Sequence, residues 1–255
     1  MNPSAGHPGR ILVIVPALNE ERSVGSVVAA ARRLGYDVCV IDDGSTDSTG
    51  VRAREAGATV LTVPLNLGVG GALRCGFRWA LANDYDVVVQ VDADEQHDPG
   101  EVAALLETMH ETDADMVIGS RFAAGAGAYE VRSARRFAMG MLARRAERAI
   151  GTKVVDTTSG FRAIRRPLLD QFAASYPVEY LGDTVEALIE AGRAGAKIVE
   201  RPISASPRSH GSGSAGTFAS IWYIARVLIA IELMHNRRLR STSTTLAPTS
   251  GGEAR

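Results

Sequence analysis

The chain has 255 residues, 45% of them hydrophobic and 22% charged, with a formal net charge of -1 at pH 7. That length buries one sizeable core in one or two domains, and a charge so near zero supplies no overall field for nucleic acid. Arginine is nevertheless concentrated between Arg132 and Arg148 and again between His235 and Arg240.

Residues 1–9 are polar and read as a flexible N-terminus without the charged-then-apolar layout of a secretory leader. Arg10 to Val15 is a β-branched run ended by Pro16, the pattern of a buried parallel strand. Glu20 to Leu34 carries Val24, Val27, Val28 and Leu34 at helical spacing and closes on Gly35. A second buried strand, Tyr36 to Ile41, contains Cys39 and leads into the loop DDGSTDSTG. A helix over Asp47 to Ala56 follows, then a strand over Thr59 to Val63. NLGVGGALRCGFRWALAND reads as a Gly-rich loop entering a helix that holds Cys75. Two thiols so far apart form neither a metal cluster nor a disulfide framework, and buried reduced cysteines in a reducing compartment are expected. Asp86 to Val91 is the fourth strand, Pro99 to His110 a helix with proline in its first turn, and Asp115 to Ile118 the fifth strand. Alternating strands and helices predict an α/β fold with a mostly parallel sheet flanked by helices.

The second half predicts a long helix over Ser133 to Ile150, a short extended piece at Lys153 to Val155 and a polar turn at Thr158 to Arg162. Leu181 to Ala194 reads as a helix starting near Asp183, and Lys197 to Ile203 as a late strand. The most apolar stretch, Phe218 to Met234, is interrupted by Arg226 and Glu232. It reads as an amphipathic helix rather than a bilayer span. The expected layout is one catalytic domain over 10–235 that includes this helix, with a disordered tail over 236–255.

Polar motifs follow the strands, where such sheets bind ligands. In VDADEQH, Asp92 and Asp94 stand two apart at a strand end, where both carboxylates can reach one hard cation, Mg²⁺ or Mn²⁺. Gln96 offers a further oxygen, and His97 reads as a polar loop residue rather than a ligand. A local Asp turn is the rival reading. In PALNE, Asn19 and Glu20 either bind a nucleotide or cap the next helix. Asp42 and Asp43 can accept from a base or ribose, whereas Asp47 reads as a cap. Gly68, Gly70 and Gly71 do not match dinucleotide-site spacing and follow the third strand rather than the first. Their expected use is close backbone approach to a ligand.

PALNE, DDGSTDST, NLGVGGAL, VDADEQHDP, GSRF and DTTSGFRAI, in this order from about Ile11 to Ser214, resemble the family 2 inverting glycosyltransferases of GT-A fold. Within these, the chain is most similar to the dolichyl- and polyprenyl-phosphate sugar synthases. The resemblance implies transfer of a sugar from a GDP-mannose- or UDP-glucose-type donor to a lipid phosphate. It implies nucleotide-sugar contacts at Pro16, Asn19, Glu20, Asp42, Asp43, Asp92, Ser159, Arg162 and Arg208, and a metal at Asp92, Asp94 and Gln96. The catalytic set it implies is Asp94, Arg121, Arg135 (or its neighbour Arg136) and Asp183. The arginines would face phosphate oxygens. A phosphate acceptor is already anionic, whereas a hydroxyl acceptor needs a base; Asp183 is either that base or a helix cap. Transfer to a soluble hydroxyl, or a non-catalytic nucleotide-sugar-binding module, are the alternatives. A nucleotidyltransferase would need a basic Gly-rich loop after the first strand, which PALNE is not. A cytoplasmic protein is expected, with peripheral contact at the inner membrane face or self-association as options.

Overall fold

The computed structural model describes residues 9–122, 147, 154–177 and 183–204. These carry strands β1 (Ile11–Ala17), β2 (Asp37–Asp42), β3 (Thr59–Thr62), β4 (Val87–Gln90), β5 (Met116–Ser120), β6 (Arg162–Arg165) and β7 (Ile198–Pro202). The helices are α1 (Val24–Arg33), α2 (Thr49–Glu55), α3 (Gly68–Ala82), α4 (Val102–Thr112), α5 (Leu168–Ser175) and α6 (Asp183–Arg193), with a 3-10 turn at Pro99–Glu101 ahead of α4. One seven-stranded sheet runs in the order β3-β2-β1-β4-β6-β5-β7. Every neighbouring pair is parallel except those made by β6, which runs against both β4 and β5.

The strands sort their side chains by alternation. Leu12 and Ile14 of β1, Cys39 and Ile41 of β2 and Met116 and Ile118 of β5 face α3, α5 and α6, which contribute Leu73, Phe77, Leu168, Phe172 and Leu188. Val13, Val15, Val38, Val40 and Val117 face the other layer, where α1 and α4 contribute Val24, Val28, Val102 and Leu105. Phe77, Phe172 and Tyr176 form an aromatic triad with ring centroids 5.0–6.0 Å apart. Burial pushes the Cys39 thiol up to about 12, so it stays protonated. Cys39 and Cys75 are both unpaired, the second only partly buried.

Several boundaries differ from the sequence reading. Helix α1 starts at Val24 rather than Glu20, because Ser23 and Val24 N–H both donate to the Glu20 carbonyl in a preceding turn (3.1 and 2.9 Å). β1 continues through Pro16 to Ala17. Pro16 lies past the last β1–β4 partner pair, Ile14 and Gln90, so its missing N–H takes nothing from that ladder. Gly68 is already the first residue of α3, and Gly70 and Gly71 are buried in its first turn. A Cβ on Gly71 would meet the Leu67 Cβ at 2.6 Å, so that glycine serves packing within the turn rather than an open loop. Val154 and Val155 form no strand, and the polar turn ends at Thr158–Phe161 because Arg162 opens β6. Strand β6 and helix α5 have no counterpart in the sequence reading. The expected helices at 133–150 and 221–234 and the tail at 236–255 lie outside the described residues, apart from Glu147, which is helical. No helix among the described residues is long and apolar enough to cross a membrane.

Phe77 is fully buried between the sheet and α5. Phe77→Ala is expected to cost ~3–5 kcal/mol of stability, read as a lowered midpoint in urea denaturation with an unchanged slope.

Candidate active site

Sequential strands β1, β2 and β3 progress toward one edge of the sheet, whereas β4 returns to the other side of β1. The order therefore reverses between β1 and β4, and in open α/β sheets ligands bind in the crevice at the carboxyl ends of such strands. PALNE leaves β1 on one side of this crevice and DADEQH leaves β4 on the other.

Asp92 follows the last β1–β4 bond, in which Val91 N–H donates to the Ile14 carbonyl (3.0 Å). Its carboxylate is one-third exposed, and that of Asp94 is largely buried. Gln90 Nε2 donates to Asp92 Oδ1 (3.3 Å), and Gln96 N–H donates to Asp94 Oδ1 (3.1 Å). Glu95 between them takes a left-handed conformation, φ 64°, and accepts from Ser26 Oγ on α1. Gly160 closes the back: a Cβ there would lie 2.9 Å from both Asp92 oxygens and from Gln90 Nε2. Only glycine admits that approach without moving the carboxylate.

Among the described residues no group of three His, Cys, Asp or Glu side chains converges as a metal cage. Two carboxylates at a strand end fit a hard divalent ion that keeps waters and takes phosphate oxygens for the rest of its shell. The Gln96 side chain is partly exposed beside them.

The other two predicted loops interlock. Asn19 N–H donates to Ser45 Oγ (3.0 Å), Thr46 N–H donates to Asn19 Oδ1 (2.9 Å) and Glu20 N–H donates to Thr49 Oγ1 (2.8 Å). Asn19, at φ 55°, thus braces the β2 loop instead of capping α1. Glu20 accepts from Ser23 Oγ (2.9 Å). Asp47 accepts from Thr49 and Glu21 N–H, a turn-capping role that matches its sequence reading. Asp42 and Asp43 are both buried. Asp42 accepts from Ser45 N–H (3.1 Å), and Asp43 reaches across to Leu67 N–H (2.8 Å) at the start of α3. Pro16, partly buried, is the next-to-last residue of β1 and pairs with Ile41, the residue before Asp42.

Antiparallel β6 brings the segment before it, residues 154–161, to the same sheet edge as the ends of β4 and β5. This segment is clamped from three sides. Arg121 donates from Nε to Asp156 Oδ2 (2.8 Å), from Nη2 to Oδ1 (2.9 Å) and from its backbone N–H to Oδ2 (3.1 Å). Glu200 of β7 accepts the N–H groups of Val155 and Asp156 (2.9 and 2.7 Å). Arg162, fully buried, donates to the carbonyls of Ser159, Thr157 and Thr184 (2.8, 3.2 and 3.1 Å). Ser159, also fully buried, donates its hydroxyl to the Gly119 carbonyl (2.6 Å). Burial pushes the Asp156 carboxyl up, but the Arg121 hydrogen bonds and charge, its amide and the Thr158 hydroxyl outweigh that and hold it below the usual aspartate range.

With the strand order reversing between β1 and β4, the geometry therefore places Asn19, Glu20, Asp42 and Asp43 in the interlocked loops after β1 and β2, and Asp92, Asp94 and Gln96 in the turn after β4. Ser159 and Arg162 instead sit inside the segment behind it, bonded to backbone. Arg121 is neither solvated surface charge nor an open cation: two of its nitrogens hold Asp156. Asp183 opens α6, as expected. Arg135, Arg136 and Arg208 lie outside the described residues. Asp156, Glu200 and Gly160 escaped the sequence reading. Glu200 carried one signal, a carboxylate inside the apolar-flanked strand IVERP; Asp156 and Gly160 lay inside a quoted motif without a local mark of their role.

The Glycosyl transferase family 2 profile matches residues 12–172. Undecaprenyl-phosphate mannosyltransferase of Micrococcus luteus is 34% identical over 210 residues, covering 79% of this chain and 86% of that protein. Polyprenol monophosphomannose synthase of Mycolicibacterium smegmatis is 32% identical over 213 residues, 79% of each chain. Glucosyl-3-phosphoglycerate synthase of Mycobacterium tuberculosis, solved with Mg²⁺ and uridine diphosphate, is similar at a TM-score of 0.65 and 26% identity over 89% of this chain and 79% of that one. The same enzyme with phosphoglyceric acid gives a TM-score of 0.68 at 25% identity, over 89% and 80%. The sheet and its flanking helices are the GT-A type fold.

Because Asp156 titrates below its unfolded value of about 3.9, the clamp's contribution is complete above that pH and is lost as pH falls through the lower folded value. Asp156→Ala strands Arg121 and is expected to cost ~3–5 kcal/mol at neutral pH. Urea melts repeated at falling pH should show this gap closing only below about pH 4.

Proposed function

We propose, from the premise that this chain belongs to glycosyl transferase family 2, that it transfers a sugar with inversion from a nucleotide-diphosphate sugar to a polyprenyl or dolichyl phosphate. The chain is a glycosyltransferase. The observation that carries the donor half of the reading is the pair Asp92 and Asp94 at the crevice between β1 and β4, where the strand order reverses. The acceptor half draws support from two relatives named for polyprenyl-phosphate mannosyl transfer. A GDP-mannose- or UDP-glucose-type donor fits both sets of comparisons.

In this reading Asp92 and Asp94, with Gln96, hold Mg²⁺ or Mn²⁺. When bound, such an ion stabilises negative charge on the nucleoside diphosphate leaving group. The interlocked loops of Asn19 and Glu20 with Asp42 and Asp43 form the nucleotide wall, with Pro16 at its base. Arg162, Ser159 and Arg121 act by fixing residues 154–161 behind Asp92. Arg135 is the proposed partner of the acceptor phosphate, and Arg208 of the donor diphosphate. An ionised phosphate oxygen attacks the anomeric carbon directly, so the reaction needs cations and orientation more than a base. A lipid acceptor puts the enzyme at a membrane surface, and the cytoplasmic face is the proposed site.

One observation favours a second acceptor class. The similar synthase was solved with phosphoglyceric acid, a soluble hydroxy acid, and two nitrogens of Arg121 are engaged by Asp156 rather than facing a ligand. In that case Asp183, at the start of α6, is the candidate base.

The deciding experiment offers labelled GDP-mannose or UDP-glucose with polyprenyl phosphate in detergent micelles, and separately with phosphoglyceric acid. Metal-dependent label in the organic phase supports the lipid reading; label only in the soluble product supports the second. Donor binding without turnover on a broad acceptor panel would leave a binding module. Asp92→Asn and Asp94→Asn are each expected to lower the transfer rate on the order of 10²–10³-fold.

A further inference from the structure

His97 is not accounted for by the donor and acceptor roles above, yet it is the most enclosed polar side chain of the DADEQH turn. It is 3% exposed. Its ring lies nearly flat on Phe161, with centroids 5.2 Å apart and planes inclined by 17°. Phe161 is itself fixed, fully buried, with its carbonyl accepting from Gly119 N–H (2.9 Å) across the β5–β6 ladder.

The imidazole Nδ1 lies 3.4 Å from the Asp92 backbone nitrogen and 3.5 Å from Asp92 Oδ2. The backbone N–H can only donate, so in this bond Nδ1 is the acceptor. This bond has a topological reason. Val91 N–H points to β1, so the next N–H, that of Asp92, points to the β6 side, where the β4–β6 pairing has ended at Gln90 and Arg162. A buried N–H left without a partner costs about 1–3 kcal/mol, and His97 supplies the acceptor from five residues ahead. The same bond closes the turn on itself, with Gln90 and Gly160 bounding the Asp92 carboxylate on its other sides.

We propose that His97 is a positioning residue, whose Nδ1 sets the spacing between the Asp92 and Asp94 carboxylates and so the affinity for the divalent cation. It touches neither cation nor substrate in this role. The inference rests on the reading that Asp92 and Asp94 hold the cation. Outer partners that orient ligating groups typically affect metal affinity by ~10–100-fold. Mg²⁺ demands near-ideal octahedral geometry, so loosened spacing should weaken it more than Mn²⁺.

The test measures Mn²⁺ affinity directly, by electron paramagnetic resonance of the free ion with uridine diphosphate present, and Mg²⁺ by competition. His97→Phe keeps a flat ring on Phe161 and removes the acceptor. His97→Asn keeps an acceptor near the Nδ1 position and gives up most of the stacking. We expect His97→Phe to weaken Mn²⁺ binding by ~10–100-fold and Mg²⁺ binding further, while His97→Asn stays close to wild type. The opposite order, Phe tolerated and Asn damaged, means that the ring serves packing alone and overturns the inference. Equal affinity in both variants and wild type also overturns it. Should His97→Phe fail to fold by circular dichroism, His97→Gln replaces it, since its amide reaches past the Nδ1 position; loss there supports the inference and retention overturns it. Asp94→Ala is the separate control. If it binds Mn²⁺ as wild type does, the cation reading itself fails and this inference with it. If it loses binding while His97→Phe does not, only the inference fails.

Discussion

Arg121 and Asp156 make the contact on which the rest of the crevice depends. Two guanidinium nitrogens and one backbone N–H converge on a carboxylate with no exposure to solvent. Desolvating such a pair is costly, and the geometry offsets that cost only because nearly every lone pair finds a donor. Glu200, on the neighbouring strand β7, accepts two further hydrogen bonds from the N–H groups of Val155 and Asp156. The segment before β6 is therefore held from below, and its one glycine, Gly160, becomes the wall against which Asp92 rests.

The reversed strand explains why this segment is available at all. A parallel β6 would begin at the opposite edge of the sheet, and residues 154–161 would be far from the carboxyl ends of β4 and β5. Running antiparallel, β6 places Arg162 beside Gln90 and Ile118 and delivers Gly160 to the back of the DADEQH turn. The buried Arg162, bonded to three carbonyls, ties the same segment to the first turn of α6. The proposed cation carboxylates gain from such support, because rotamers settled by packing are in place before a ligand arrives.

After β1, β2 and β3 the walls are loops, but they are not loose. The β1 and β2 loops exchange hydrogen bonds through Asn19, Glu20, Ser45, Thr46 and Thr49, and Asp43 links them to the start of α3. Three loops from three adjacent strands thus behave as one braced rim. Under the proposed function this rim is the nucleotide wall, and a nucleotide needs several polar contacts in fixed relation.

The sequence by itself determined the elements whose signals are local. Strands β1, β2 and β4 are apolar β-branched runs, α1 shows helical spacing, Pro99 marks the turn that leads into α4, and polar motifs stand directly after strands, so the α/β class and the Asp92–Asp94 pair were legible. Tertiary structure alone decided what depends on partners far along the chain. Strand β6 reads as a charged RAIR segment that only its two antiparallel neighbours make a strand. Arg121 meets an aspartate 35 residues away, and Ser159 and Arg162 are buried by elements on either side of them. Gly160 matters because of a carboxylate just past another strand, and His97 because the β4–β6 pairing ends before Asp92. Periodicity and local spacing report which side of an element is buried; they do not report which distant group will meet a donor, a charge or a missing Cβ.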